Sequence, residues 1–96
     1  MDQKQQNEAT LRLAAERGQH DAVQVMLDLG AEPGAPDETG RTALHGAASE
    51  GHLTVIEQLL AVGADPLSKD AEGRTPLDLA QAAGFDDAVQ ALQANR

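Results

Sequence analysis

The side chains able to do chemistry in this 96-residue chain are few. There are three histidines, His20, His45 and His52, and no cysteine, which removes disulfides, thiolate nucleophiles and Cys-ligated metals together. A metal site would have to be assembled from the three imidazoles, which needs the rings to converge. Ser49 lies in Gly46-Ala47-Ala48-Ser49-Glu50-Gly51, which is G-x-x-S-x-G; a nucleophile elbow needs G-x-S-x-G at a strand end. No two glycines are spaced as G-x-G, so there is no dinucleotide or phosphate loop. The adjacent carboxylates Asp86 and Asp87 suit the N-terminus of a helix, where negative charge is favoured, better than paired acid–base work. No catalytic constellation, cofactor site or metal site remains. What does recur is a pair of arginines, Arg41 and Arg74, 33 residues apart and each beside carboxylates.

That spacing leads to the elements that carry them. Asp37 to Asp65 reads D-E-T-G-R-T-A-L-H-G-A-A-S-E-G-H-L-T-V-I-E-Q-L-L-A-V-G-A-D, and a second copy, D-A-E-G-R-T-P-L-D-L-A-Q-A-A-G-F-D-D-A-V-Q-A-L, follows 33 residues later. A third version lies 33 upstream, with Leu11, Ala14, Gly18, Val23, Gly30 and Ala31 in register. The period and the signatures Thr42-Ala43-Leu44-His45-Gly46-Ala47 and Thr75-Pro76-Leu77-Asp78-Leu79-Ala80 resemble the ankyrin repeat. The resemblance covers nearly all of the chain. It implies an all-α fold, an ankyrin-repeat solenoid of helix-turn-helix units joined by hairpin-like fingers. Residues 1–96 then form one domain with repeats at about 4–36, 37–69 and 70–96.

Taken in order, Met1 to Gln6 is polar and reads as a frayed end. Asn7 suits the cap of a helix running to about Arg17, with Leu11, Ala14 and Ala15 inward. Gly18 ends that helix, and a second from about Asp21 to Leu29 carries an apolar stripe at Val23, Met26 and Leu27. Glu32 to Thr39 contains Pro33, Gly34 and Pro36 and reads as an extended finger. Its tip, Asp37-Glu38-Thr39-Gly40, has the Asp and Gly of a type I turn, and Asp70-Ala71-Glu72-Gly73 repeats them. Where family members often have Asn before the tip, this chain has Gly34 and Leu67. Thr42 suits a helix N-cap and Pro76 the first helical position. The outer helices are expected from about Leu53 to Ala61, burying Val55, Ile56, Leu59 and Leu60, and from Asp86 to about Ala94, burying Ala88, Val89 and Leu92. Gln93 stands where Leu27 and Leu60 stand in earlier copies, the polar outer face expected of a repeat that closes the array.

Composition agrees. The chain has one Phe and no Trp or Tyr, too few aromatics for an ordinary compact core but enough for a stack in which each repeat touches only its neighbours. The formal net charge of −9 is spread along the chain: −3 over residues 1–33, −4 over 34–66 and −2 over 67–96. It has two readings: a solvated surface that keeps a small domain soluble, or a field that steers the protein toward a basic partner. Nucleic-acid binding is disfavoured, since it calls for clustered Lys and Arg and stacking aromatics. With no apolar run long enough to span a bilayer and no secretion signal in MDQKQQNEAT, the reading is a cytoplasmic monomer that engages no membrane.

The resemblance also implies roles for two of the histidines, while the third, His20, departs from its pattern. His45 holds the signature position, which ties the first helix to the finger. His52 sits in the turn between paired helices as a further tie, and His20 is exposed. The contact positions of the family fall here on Glu38, Thr39, Arg41, Ser49 and Glu50 in the middle repeat. In the last repeat they fall on Ala71, Glu72, Arg74, Ala82 and Ala83, and in the first on Glu8, Glu16 and Arg17. Arg41 and Arg74 are expected side by side on a concave face. The function implied is a non-enzymatic protein–protein interaction module, working as an adaptor, inhibitor or assembly factor, with no cofactor and another protein as partner. Two further readings are an acidic immunity or stress accessory that neutralises a basic target, and a regulatory domain of an enzyme encoded elsewhere.

Overall fold

A computed structural model describes residues 2–94. It contains six helices: α1 (Gln3–Glu16), α2 (His20–Asp28), α3 (Ala43–Ser49), α4 (Leu53–Ala61), α5 (Pro76–Ala83) and α6 (Asp86–Ala94). They form two layers. The inner helices α1, α3 and α5 pack side by side, the outer helices α2, α4 and α6 do the same, and each inner helix leans on the outer helix that follows it. The body measures 35 × 26 × 20 Å. None of the described helices is long and apolar enough to cross a membrane.

The inner layer is narrow because its side chains are small. Ala15, Ala43, Ala47, Ala48 and Ala80 are completely buried, and Gly46 lies so close to α1 that a Cβ there would sit 3.2 Å from the Cβ of Glu16. The larger groups fill the space between layers: Leu11, Val23, Leu44, Ile56, Leu59 and Leu92 are at most 1% exposed. Leu60 and Val89, expected in the core, are only half-buried at its edge. Truncating Ile56 or Leu59 to Ala removes several contacts at once and should cost about 2–4 kcal/mol.

Helix starts are set by the caps. Thr42 Oγ1 accepts from the His45 N–H at 3.4 Å, and Thr75 Oγ1 accepts from the Asp78 N–H at 3.1 Å, with Pro76 at the first helical position. The first helix departs from expectation. Asp2 caps it, with its carboxylate accepting from the Gln5 N–H at 2.8 Å and its own N–H donating to Gln5 Oε1 at 3.3 Å. Asn7 is therefore inside the helix, where its side chain accepts from Gln3 at 2.9 Å, and Gln3 to Gln6 are helical instead of frayed; Met1 lies outside the described residues. Reciprocal capping closes orphan amides that a polar N-terminus would otherwise expose.

Two ring contacts lock successive repeats at the turns. Gly18 and Gly51 both have φ of 71°, open to glycine at little cost, and end an inner helix. The His52 ring lies over Gly18 and the Phe85 ring over Gly51, where an added Cβ would meet ring atoms at 2.6 Å. His52 thus joins repeats by ring packing, and no hydrogen bond from its ring is present among the described residues.

Candidate functional site

Two finger tips lie along one edge of the inner layer, and both are built by an aspartate. In the first, Asp37 N–H donates to the Arg41 carbonyl at 2.8 Å and Gly40 N–H to the Asp37 carbonyl at 3.0 Å. In the second, Asp70 and Arg74 repeat the first bond at 2.9 Å, and Gly73 and Asp70 the other at 2.9 Å. Each aspartate side chain then organises the turn. Asp37 Oδ1 accepts from the Thr39 N–H and hydroxyl at 2.8 and 2.7 Å and from the Arg41 N–H at 3.1 Å. Asp70 Oδ1 accepts from the N–H groups of Glu72 and Arg74, both at 2.9 Å, and its Oδ2 from Arg74 Nε at 3.2 Å.

Both carboxyls are consequently more acidic than usual. For Asp37, desolvation works upward but is outweighed by the Thr39 hydroxyl and N–H, the Arg41 N–H and the nearby charge of Arg12. For Asp70, the Arg74 N–H is the largest influence; it and the Glu72 N–H, with the Arg74 guanidinium, outweigh desolvation.

The tips are joined. Ala71 N–H donates to the Thr39 carbonyl at 2.8 Å, and Gly40 lies so close to the next tip that a Cβ would come within 3.0 Å of the Ala71 nitrogen. His45 ties the second tip to the helix behind it. Thr42 N–H donates to His45 Nδ1 at 3.1 Å, so Nδ1 is unprotonated and the proton on Nε2 reaches the Arg74 carbonyl at 2.9 Å. The ring is wholly buried, and every one of its polar atoms is used for structure.

Repetition of this arrangement decides what the chain is: two-helix units in two layers, with aspartate-built tips bonded to each other and a capping histidine beneath. The sequence matches the family of ankyrin repeats in three copies over residues 3–96. The chain belongs to the ankyrin-repeat family. No curated protein matches it closely enough to be called a relative. The two-layer helical architecture is that of an ankyrin solenoid, and ankyrin repeats are in general protein-interaction modules.

The residues expected on the binding face are placed unequally. Glu38, Thr39, Glu50, Ala71, Glu72, Arg74 and Ala82 are exposed, while Arg41 and Ser49 are half-buried. Thr39 and Ala71 meet through the bond between tips, but the Thr39 hydroxyl is spent on Asp37. Arg41 donates to the Ser49 hydroxyl at 3.1 Å and the His45 carbonyl at 3.5 Å, so it lies along its own helix and pairs with no carboxylate among the described residues. Ser49 in turn donates to the Gly46 carbonyl at 2.9 Å. Arg74 instead folds over its own tip, onto Asp70 and onto Glu72 Oε1 at 3.0 Å. Glu50 and Ala82 make no side-chain hydrogen bond to the others. In the first repeat Glu8 is tied down as well, accepting from the Glu32 N–H at 2.9 Å.

One residue of this face was not foreseen. Arg12 is half-buried in α1 and donates from Nη1 to the Ala35 carbonyl at 3.0 Å, holding the base of the first finger. A groove of about 450 Å³ opens beside it, lined by Gln5, Glu8 and Arg12 on one side and by residues 35–38 on the other. Its signal in the sequence is positional. Arg12, His45 and Asp78 are 33 residues apart, the same place in three inner helices. His45 supports the second finger at Arg74, Arg12 supports the first at Ala35 by a longer reach, and Asp78, with no described finger after it, accepts from the Thr75 N–H at 3.0 Å to complete its own cap.

Proposed function

We propose that this protein acts by binding another protein across the concave strip formed by its two finger tips and inner helices, as an adaptor, inhibitor or assembly factor and not as an enzyme. The observation that carries the reading is the hydrogen bond between Ala71 and Thr39. It makes one continuous strip of two tips while leaving the side chains of Glu38, Ala71, Glu72 and Arg74 exposed to a partner. A net charge of −9 favours a basic partner, through faster and salt-sensitive association.

A pull-down from native extract with mass spectrometry identifies the partner, and two mutant sets then test the face. Arg41→Glu with Arg74→Glu should weaken affinity at least roughly thirtyfold if the arginines are hot spots, equivalent to about 2 kcal/mol. Gln24→Lys, Glu57→Lys and Gln90→Lys, on the exposed side of the outer helices, should leave it nearly unchanged. Thermal melting of each set is needed beside the affinities, because Arg41 also bonds Ser49. Loss of binding with the outer set alone rejects the concave assignment.

A further inference from the structure

Repeat symmetry identifies a vacant position on this strip. The second tip stacks on the first through Ala71 N–H and the Thr39 carbonyl, at 2.8 Å. The residue equivalent to Ala71 in the first tip, 33 positions earlier, is Glu38. The two turns share their internal hydrogen bonds, so the Glu38 N–H faces the side from which an earlier finger would approach. Among the described residues there is no earlier finger. Residues that would form it, 2–8 by the same spacing, serve as the cap and first turns of α1, and the Glu38 N–H has no partner among the described residues. In its place is the groove of about 450 Å³ between α1 and the Ala35–Glu38 edge.

We propose that this groove receives an extended segment of a basic partner protein, which takes the place of the missing finger. A backbone carbonyl of that segment accepts from the Glu38 N–H as the Thr39 carbonyl accepts from Ala71. This is strand addition on a small scale, in which main-chain bonds supply register and side chains supply specificity. Charge selects the side chains. The groove presents the carboxylates of Glu8, Asp37 and Glu38, opposed by Arg12 alone, whose guanidinium is already turned to the Ala35 carbonyl. A Lys or Arg beside the docked carbonyl is attracted, and an acidic segment is repelled. The proposal rests on the concave-face reading and narrows it to one end of the strip.

The test uses the full chain, ¹⁵N-labelled, titrated with a synthetic decapeptide of alternating Lys and Thr and with its Glu–Thr counterpart. The Lys peptide should shift the amides of Gln5, Glu8, Arg12 and Glu38 saturably, and the Glu peptide should not. Glu38→Pro removes the donor at a turn position where proline is favoured, so the turn itself is retained. It should weaken the Lys peptide at least tenfold, whereas Glu38→Gln, which keeps the N–H, should weaken it less and flatten its salt dependence. Saturable shifts confined to Glu72, Arg74 and Ala82 would overturn the groove and leave the concave face standing. Shifts confined to Gln24, Glu57 and Gln90 would overturn both. Equal binding by Glu38→Pro and the unmodified chain, or no saturable shift with either peptide, would overturn the groove.

Discussion

The first finger tip, Asp37 to Arg41, and the second, Asp70 to Arg74, share one turn but rest on different supports. Behind the second lies His45, wholly buried and bonded at both ring nitrogens, and beside it the first tip accepts its Ala71 N–H. Behind the first lies Arg12, reaching the Ala35 carbonyl ahead of the tip, and beside it is an open groove. The bond between the tips belongs to both, so the difference lies behind and before them. A buried ring supports the second tip and a half-buried guanidinium the first, and the turn amide that is bonded at Ala71 has no partner among the described residues at Glu38. What a repeat does at a given position depends on the neighbour its side chain meets as much as on its own residues.

The largest expected effect comes from removing the better support. His45→Ala leaves the Thr42 N–H and the Arg74 carbonyl without their partner in a buried setting and should cost about 1–3 kcal/mol, read by chemical denaturation. Arg12→Ala removes one part-buried hydrogen bond and should cost about 0.5–1.5 kcal/mol. A loss for Arg12→Ala equal to that for His45→Ala would contradict the comparison.

The aspartates sharpen it. Asp70→Asn should lower the melting temperature more than Asp37→Asn, because the Asp70 side chain is 2% exposed and bonds the Arg74 guanidinium, while Asp37 is exposed. Both carboxyls have a folded pKa below the ordinary value of 3.8, so the unfolded chain binds more protons as acid is added. Their stabilisation is complete above about pH 4 and is lost as pH falls through the lowered values. Melting curves between pH 5 and 2 should therefore show stability falling with pH, with a shallower fall in the double Asp→Asn variant.

The smallest expected effect concerns the arginines. Ser49→Ala should free Arg41 and change stability by only a few tenths to about 1 kcal/mol, since the bond is partly solvated.

Much of the fold could be read from residue order. Leu11, Ala14 and Ala15 face inward, Thr42 and Thr75 cap, and α4 and α6 begin and end where their apolar spacing does. The start of α1 could not be read in that way, because Asp2 to Gln6 contributes nothing to the core and its stability is local, from the reciprocal Asp2–Gln5 cap. The arginines illustrate a second limit. Arg41 and Arg74 are equivalent by spacing, but the residue eight further on is Ser49 in one case and Ala82 in the other. The residue two before is Thr39 in one and Glu72 in the other, so Arg41 turns to its helix and Arg74 to its tip. Arg12 escaped notice because its repeat position marks it as the counterpart of His45 without saying what a cation there would hold; its contact with the Ala35 carbonyl shows that role.

Amide hydrogen exchange at Ala71 and Glu38 tests the central claim, unequal support of two equal turns, most directly. These amides occupy the same turn position, one bonded to the Thr39 carbonyl and the other without a partner among the described residues. Strong protection is expected at Ala71, near-intrinsic exchange at Glu38, and a fall in Ala71 protection when His45 is replaced by Ala. Equal protection at the two amides in the unmodified chain would contradict it.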